Sequence, residues 1–340
     1  MKASRAGVSL IAAVPLVLSL ASGLSTGQTV QTPPSPPAAP SVPAAPGAPA
    51  TLAPAPPPNP VTFIRNKIAA GDLLSAESIV EVLRAENGED ATWLSGLSWL
   101  ARGALLLGDE AKAKRDAGEV RAHVADATAK GAKLEDDHGL ELAWGTAIEV
   151  EAQLLERKSG SKRAAEFLRG ELAKTPGPVA LRSRLNKRLN MMTLAGTAAP
   201  ELVVEDFAGD ARPPALAALK GKPVVLFLWA EWCGDCKGMA RALAHARKTH
   251  AGVAFVGLTR YYDDGDKRTA EKARVEDVWK TVYADVGAMP IVISTASMER
   301  YGGSSTPTFV FIDRTGIVRW YTPTRLTEEA LDQAIAKIAG

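Results

Sequence analysis

Residues 224–237 read VVLFLWAEWCGDCK, and this stretch contains the only two cysteines of the 340-residue chain. Its first seven residues, Val224 to Ala230, are all apolar, which is typical of a strand buried on both faces of a sheet. After the cysteines, apolar residues recur at helical spacing from Cys236 to Ala244. The stretch therefore predicts a strand, a tight turn and a continuous helix over 235–248, with Cys233 at the helix start and Cys236 on its buried face.

The place of Cys233 predicts a reactive thiol. Unpaired backbone N–H groups and the helix dipole favour a thiolate at a helix N-terminus, and the thiolate is the species that attacks disulfides. We therefore expect Cys233 to be exposed and to attack, and Cys236, one turn further on, to resolve the mixed disulfide. Asp235 acts in the opposite direction, because a nearby negative charge disfavours a thiolate. It predicts a more reducing pair than a neutral residue would give.

Three other interpretations of the cysteine pair stay open at this point. A structural disulfide would close a very short loop and contribute little chain-entropy stabilisation. A zinc site would add His245 and His250, but helix geometry puts His245 ~14 Å along the axis from Cys236, too far for one ion. We expect both histidines to be solvated near the helix end. The third interpretation is a redox-inactive copy of a redox fold.

The start of the chain differs in composition from the rest. Residues 1–27 resemble an export signal, because Lys2 and Arg5 precede an uncharged apolar run over 8–24. Cleavage and retention of 8–24 as a membrane anchor both stay open, and both put the remainder outside the cytoplasm. Residues 28–60 are rich in proline and alanine, which predicts a disordered, semi-rigid linker.

Overall charge and length set broad limits. The chain is too long for one ordinary domain. Forty Lys and Arg against 38 Asp and Glu leave a net charge of +2, so the composition gives no reason to expect nucleic acid as a partner.

Residues 61–195 predict an all-helical domain, because apolar residues recur there at helical spacing. Three glycine turns, at Gly71, Gly108 and Gly160, each precede a helical segment. The first two are 37 residues apart, near the period of tetratricopeptide-like hairpins, and the third is out of period. A concave partner-binding surface and a bundle that only supports the next domain are both compatible with this pattern.

The last helix of this domain is basic. It is predicted over 179–194, and we expect its four cationic residues to form a solvated face: Arg182, Arg184, Lys187 and Arg188. Residues 196–200 then form a boundary before the last domain.

Residues 198–340 predict an α/β domain with a mixed sheet flanked by helices. Strands are expected at 224–230, 253–258, 290–294, 308–312 and 317–321, and helices at 235–248, 269–283, 296–301 and 328–338. Alternation of strand and helix predicts parallel pairing, whereas the short turn at 313–316 predicts an antiparallel hairpin at one edge. Thr327 is a candidate N-cap of the final helix.

Two motifs in this domain resemble a known superfamily. Residues 229–237, WAEWCGDCK, resemble the thioredoxin active-site motif, and residues 306–310, TPTFV, resemble the cis-proline segment of that superfamily. The lead-in residues 199–202 and 219–223, with the inserted strand and helix before Pro307, resemble the TlpA-like branch of exported thiol-disulfide oxidoreductases. The resemblance covers about 198–340.

The resemblance implies a thioredoxin-like fold and an extracytoplasmic, for instance periplasmic, enzyme that reduces protein disulfides. The implied partners are protein thiols and disulfides and an electron-donor thiol protein, in many members a membrane protein. It implies no metal and no organic cofactor, only a redox-active disulfide. The implied site residues are Cys233 and Cys236 as catalytic residues and Trp232, Gly234, Asp235, Thr306 and Pro307 as substrate contacts. A cis Thr306–Pro307 bond would leave the Thr306 backbone free to pair with an extended substrate strand.

The sequence departs from the thioredoxin pattern at Phe227, where thioredoxins proper carry a buried aspartate that helps to deprotonate the resolving thiol. Glu231 is a candidate substitute, although we expect it to be exposed. Tyr261 and Tyr262 follow the second strand and either rim the substrate groove or belong to a plain polar loop. The alternative function is a helical-repeat scaffold whose thioredoxin-like module is redox-inactive.

Overall fold

The computed structural model describes residues 59–174, 177–209 and 212–340. The predicted export signal and nearly all of the predicted linker lie outside these residues. Pro60, predicted as the end of the linker, is instead the first residue of a helix, since proline suits the first turn and the Asn59 side chain accepts the Val61 N–H at 2.9 Å. None of the helices in the described ranges is long and apolar enough to cross a bilayer.

Helices occupy the described part of the predicted all-helical domain. They are α1 (Pro60–Ala69), α2 (Leu73–Asn87), α3 (Ala91–Leu107), α4 (Glu110–Ala129), α5 (His138–Lys174) and α6 (Val179–Thr193). The glycine turns are where the sequence predicted them: Gly71 and Gly108 have positive φ, and Gly160, at φ 82°, divides α5 into two segments. The side chains of Asp72 and Asp109 cap α2 and α4. The tetratricopeptide-like repeat stays a prediction.

The basic face of α6 is not solvated, and that prediction was wrong. The Arg184 guanidinium lies 2.6 Å from Glu149 and that of Arg188 lies 2.7 Å from Glu156, both on α5. The remaining two cations of this face, Arg182 and Lys187, contact the C-terminal domain at Glu299 and Ser305. The acidic partners come from distant parts of the chain, so α6 is an internal element packed between α5 and the last domain.

Six strands form one mixed sheet, in the order β1-β4-β3-β2-β5-β6. They are β1 (Asp206–Ala208), β2 (Val224–Leu228), β3 (Ala254–Thr259), β4 (Ile291–Ile293), β5 (Thr308–Ile312) and β6 (Val318–Thr322). The β2–β3 and β3–β4 pairs are parallel, and the β1–β4, β2–β5 and β5–β6 pairs are antiparallel. The predicted parallel core and edge hairpin are confirmed, whereas β1 was not predicted.

Helices cover both faces of this sheet. They are α7 (Gly234–Lys237), α8 (Ala240–Thr249), α9 (Lys267–Thr281), α10 (Thr295–Arg300) and α11 (Glu328–Ala339). Thr327 caps α11 as predicted, with its hydroxyl accepting the Ala330 N–H at 3.1 Å. Strand β2 is buried at all five positions, because its side chains alternate between two apolar cores on opposite faces.

The continuous helix predicted over 235–248 is divided into α7 and α8. Gly238 and Met239 keep right-handed φ values, but their ψ values of −12° and −7° are far from those of a regular helix. Gly238 also lies directly under Arg325, since an added Cβ would come within 3.1 Å of the guanidinium. The break leaves α7 as a single turn, with Cys233 as its N-cap residue and Cys236 within it.

Candidate active site

The two cysteines lie at the C-terminal end of β2, where the chain enters α7. Their sulfurs are bonded to each other as a disulfide. Cys233 is the N-cap residue of α7, and its Sγ accepts the Cys236 N–H at 3.1 Å. An N–H group that points at Sγ stabilises negative charge on that sulfur once the disulfide is reduced.

Cys233 is less exposed than the sequence predicted. It keeps 5% of its accessible surface and Cys236 keeps none. One reason is a carbonyl oxygen that lies against the sulfur: Sγ of Cys233 is 3.5 Å from the Thr306 oxygen. A bonded sulfur has no proton to donate, so this is a van der Waals contact in the disulfide, whereas a reduced Cys233 thiol could donate to the carbonyl.

Strand pairing brings Thr306 and Pro307 to the cysteines. Leu228, at the end of β2, pairs with Thr308 at the start of β5, so the residues just before β5 lie beside those just after β2. The Thr306–Pro307 peptide bond is cis, as predicted. Among the described residues, the Thr306 N–H has no hydrogen-bond partner.

Trp232 is the exposed side chain next to Cys233, with 59% of its surface accessible. The ring of Tyr262 meets it edge to face at 5.2 Å, and the Arg260 guanidinium lies 4.2 Å from the centre of the Tyr262 ring. Tyr262 therefore packs against Trp232, the residue that precedes Cys233. Tyr261 turns away, and its hydroxyl donates to Asp206 at 2.5 Å.

The surface at Gly234 and Asp235 is open. An added Cβ at Gly234 would meet no described atom within 4 Å, and the Asp235 side chain is 73% exposed. Arg325 Nη1 lies 3.9 Å from Asp235 Oδ1, close enough to offset part of the negative charge beside Cys233.

Glu231 is buried, with 7% exposure, and the prediction of an exposed glutamate was wrong. One of its oxygens accepts from Arg274 Nε at 3.2 Å, and the other accepts the Trp232 N–H at 2.9 Å. Arg274 comes from α9 and also bonds Asp263 at 2.8 Å, so a partner distant in sequence draws the glutamate inward. Both carboxylate oxygens are already engaged in fixing the turn that carries the cysteines.

The cysteines pack against a core of buried aromatic side chains. Phe227, which replaces the aspartate of thioredoxins, is fully buried, with its ring 5.2 Å from that of Phe309 and 6.2 Å from that of Tyr283. The neighbouring Trp229 is also fully buried. The position therefore offers no proton acceptor to the resolving thiol.

The two histidines lie against α11. His245 Nε2 is 3.2 Å from one Asp332 oxygen, and His250 Nε2 is 3.3 Å from the other. His245 is half exposed, as predicted, but the His250 side chain keeps only 18% of its surface and is not solvated.

Comparison with known proteins agrees with this geometry. The Redoxin family profile matches residues 194–335. The soluble secreted antigen MPT53 of Mycobacterium tuberculosis strain H37Rv is 36% identical over 94 residues, which are 28% of this chain and 44% of the relative. The thiol:disulfide interchange protein DsbE of Vibrio cholerae is 36% identical over 76 residues, 22% of this chain and 40% of the relative.

A crystal structure is also known for a candidate thiol:disulfide interchange protein DsbE from Chlorobium tepidum. Its sequence is 24% identical to that of this chain. It covers 43% of this chain and 98% of its own, with a TM-score of 0.34. The chain spans less than half the length of the two curated relatives from Mycobacterium tuberculosis and Vibrio cholerae. The sequence profile, the mixed sheet and the cysteine pair at the end of β2 identify residues 194–335 as a Redoxin domain with a thioredoxin-like fold.

Proposed function

We propose that this protein is an extracytoplasmic thiol-disulfide oxidoreductase that reduces protein disulfides, with Cys233 as the attacking thiol and Cys236 as the resolving thiol. The observation that carries the proposal is the position of Cys233 Sγ, which receives the Cys236 N–H at 3.1 Å while Cys236 lies fully buried behind it. The sulfur that an N–H group stabilises is the better candidate for a thiolate, and the thiolate attacks disulfides.

The proposed reaction starts from the dithiol form. The Cys233 thiolate attacks one sulfur of a substrate disulfide, which forms a mixed disulfide and releases the other substrate sulfur as a thiolate. The Cys236 sulfur, after losing its proton, then attacks Cys233 Sγ, which restores the Cys233–Cys236 disulfide and releases the second substrate thiolate. The substrate gains two electrons, and a donor dithiol protein returns two electrons to the cysteine pair.

The proton of Cys236 needs an acceptor, since Phe227 stands where thioredoxins carry an aspartate. Glu231 is a poor substitute because both of its oxygens hold other hydrogen bonds. We propose that the substrate thiolate released in the first step, or a water molecule, takes this proton. Neither route uses a metal or an organic cofactor.

The surroundings of Cys233 suit an extended polypeptide substrate. Thr306 offers an N–H that no residue of the described ranges pairs with, and Gly234 leaves the surface open beside the sulfur. The exposed Trp232, backed by Tyr262, gives an apolar surface for the side chains that flank the substrate cysteine. These features support a protein substrate over a small thiol compound.

The location outside the cytoplasm rests on two further observations. The first 27 residues resemble an export signal, and the mycobacterial relative is named a secreted antigen. Disulfides persist in oxidising compartments, so a reductase of protein disulfides finds its substrates there.

The low exposure of Cys233 favours one alternative, a helical-repeat scaffold with a passive disulfide. The two functions differ in the reactivity of the reduced cysteine. An oxidoreductase requires Cys233 to react readily with an alkylating reagent at neutral pH, whereas a passive module gives a slow or inert thiol.

Substrate trapping tests the proposal. Cys236→Ala removes the resolving thiol, so mixed disulfides through Cys233 should accumulate and run as reducible, higher-mass species on non-reducing gels. Cys233→Ala is the matched control, because it leaves one cysteine in the same turn but removes the attacking sulfur. Equal trapping by the two variants, or none by either, would contradict the assignment.

A further inference from the structure

Residues 299–306, here called the connecting segment, join α6 of the helical domain to the cysteine pair. At its start, Arg182 Nε donates to the Glu299 carboxylate at 2.7 Å and Asn190 Nδ2 donates to the Arg300 carbonyl at 3.0 Å. Near its end, Lys187 Nζ donates to Ser305 Oγ at 3.3 Å. Helix α6 therefore contacts the connecting segment close to both of its ends.

Between these contacts the two backbones touch. Gly302 has φ +71°, and a Cβ built on it would lie 2.4 Å from both the backbone N and the Cα of Lys187. Such a distance leaves no room for any side chain, so only glycine fits against α6 at this point. The contact at Gly302 sets the separation between α6 and the connecting segment.

The far end of the segment reaches the reactive sulfur. The Thr306 oxygen lies 3.5 Å from Cys233 Sγ. The Ser305 carbonyl accepts the Thr308 hydroxyl at 2.7 Å, which ties the segment to the start of β5. Lys187 therefore binds the side chain of Ser305, and the next residue along the chain, Thr306, contacts Cys233.

The Lys187 ammonium group is partly buried and lies near several other positive charges. Burial lowers the pKa of its ammonium group, and the Arg184, Arg102 and Arg188 guanidinium groups lower it further, while Glu149 opposes the shift. A partly desolvated ammonium group needs hydrogen-bond acceptors, and Ser305 Oγ is the acceptor that it finds on the connecting segment. The Lys187 side chain thus links α6 of the helical domain to the connecting segment of the C-terminal domain.

We propose that Lys187 is a positioning residue through which the helical domain holds Ser305 and Thr306 in register for an extended protein substrate. The inference rests on the proposed oxidoreductase function and assigns the helical domain a part in substrate selection. A protein substrate pairs with the Thr306 backbone, so a displaced segment weakens its binding near Cys233. A small disulfide needs only the sulfur of Cys233 and does not use the segment.

The test compares two substrates of the full chain. Insulin serves as the protein disulfide and 2-hydroxyethyl disulfide as the small one, with dithiothreitol as the electron donor that re-reduces the cysteine pair. The value of kcat/KM is measured for Lys187→Met, Ser305→Ala and the double variant. Losing one hydrogen bond should lower kcat/KM for insulin about fivefold in each single variant. The double variant should lose no more than either single one, because both remove the same contact. For 2-hydroxyethyl disulfide, all three should match the wild type.

Controls separate this inference from simpler explanations. Lys162→Met removes an exposed lysine from α5 and should change neither rate. Ser305→Ala removes the hydrogen bond from the other side and keeps the test informative if Lys187→Met does not fold. Unchanged insulin kinetics in Ser305→Ala, equal losses for both substrates, or additive losses in the double variant would overturn the inference. A wild-type protein that reduces neither substrate would overturn the proposed function itself.

Discussion

Replacing Arg184 by methionine should destabilise the protein strongly, because it leaves a buried carboxylate without its main partner. The Arg184 guanidinium donates to Glu149 at 2.6 Å, to the Thr146 hydroxyl at 2.9 Å and to the Leu142 carbonyl at 3.1 Å. Burial alone would raise the pKa of the Glu149 carboxyl, but the nearby Arg184 and Lys187 charges overcome this and hold that pKa below its ordinary value of 4.5.

The size of the effect can be bounded from this geometry. Without Arg184, Glu149 either stays ionised and poorly paired or takes up a proton. Protonating a glutamate of ordinary pKa at about pH 7 costs about 3.4 kcal/mol, at 1.36 kcal/mol per pH unit. Breaking a buried ion pair by removing one partner typically costs about 3–5 kcal/mol. Lys187 remains near Glu149 and offsets part of the loss, so we expect a decrease of about 3 kcal/mol in the free energy of unfolding.

Urea unfolding at neutral pH measures this loss, with Glu149→Gln/Arg184→Met as the control. The double variant has no unpaired carboxylate left to bury and should be more stable than Arg184→Met alone. A loss below about 1 kcal/mol for Arg184→Met would refute the reasoning, since that is the range of an exposed ion pair.

The Glu149–Arg184 ion pair also predicts that the free energy of unfolding depends on pH. Because the pKa of Glu149 is lower in the folded protein than its ordinary value of 4.5, its stabilising contribution is complete above that value and disappears as the pH falls through the folded pKa. The gap in unfolding free energy between wild type and Arg184→Met should therefore narrow in acid. A gap that stays constant from neutral pH to well below 4.5 would contradict this account.

Three further changes have defined outcomes. Gly302→Ala should lower the melting temperature far more than Gly71→Ala, since both glycines have positive φ but only Gly302 has backbone atoms within 2.4 Å of an added Cβ; equal shifts would contradict the close approach. Phe227→Ala should cost about 3–5 kcal/mol in urea unfolding, because the ring is fully buried; a loss under about 1 kcal/mol would be inconsistent with that burial. Asp235→Asn should lower the pKa of the Cys233 thiol and make the disulfide more oxidising in glutathione buffers, so an unchanged or more reducing potential would count against the role of this carboxylate.

Local sequence was sufficient to predict the elements whose cause is local. The apolar run of β2, the N-cap Thr327 and the glycine turn at Gly160 each follow from residues within one or two turns of chain, and all three are present. The approach of Thr306 to Cys233 depends on strand pairing across the sheet. Here the prediction came from a motif resemblance and not from local chemistry.

Two of the predictions that failed concern charged residues with distant partners. Arg182 pairs with Glu299, 117 residues away, and Glu231 pairs with Arg274, 43 residues away. A charge on a predicted helix or turn looks solvated unless its partner is known, and no local pattern reveals such a partner. The interdomain role of α6 and the burial of Glu231 were missed for this reason.

Very short or interrupted elements were missed for a different reason. Strand β1 has three residues, too few for a period-two pattern to be recognised, and it exists because it pairs with β4. The break at Gly238 lies beside Arg325, which packs over it from far along the chain and is not visible in the local sequence.

The pH dependence of Cys233 alkylation in the reduced protein tests the central claim most directly. Cys236 is fully buried, so iodoacetamide should label Cys233 first, and peptide mapping can verify the site. The N–H of Cys236 at 3.1 Å from Cys233 Sγ predicts a midpoint below the ordinary thiol value of about 8.5 and ready reaction at neutral pH. A midpoint at or above about 8.5, or a thiol that does not react until the protein unfolds, would contradict the account.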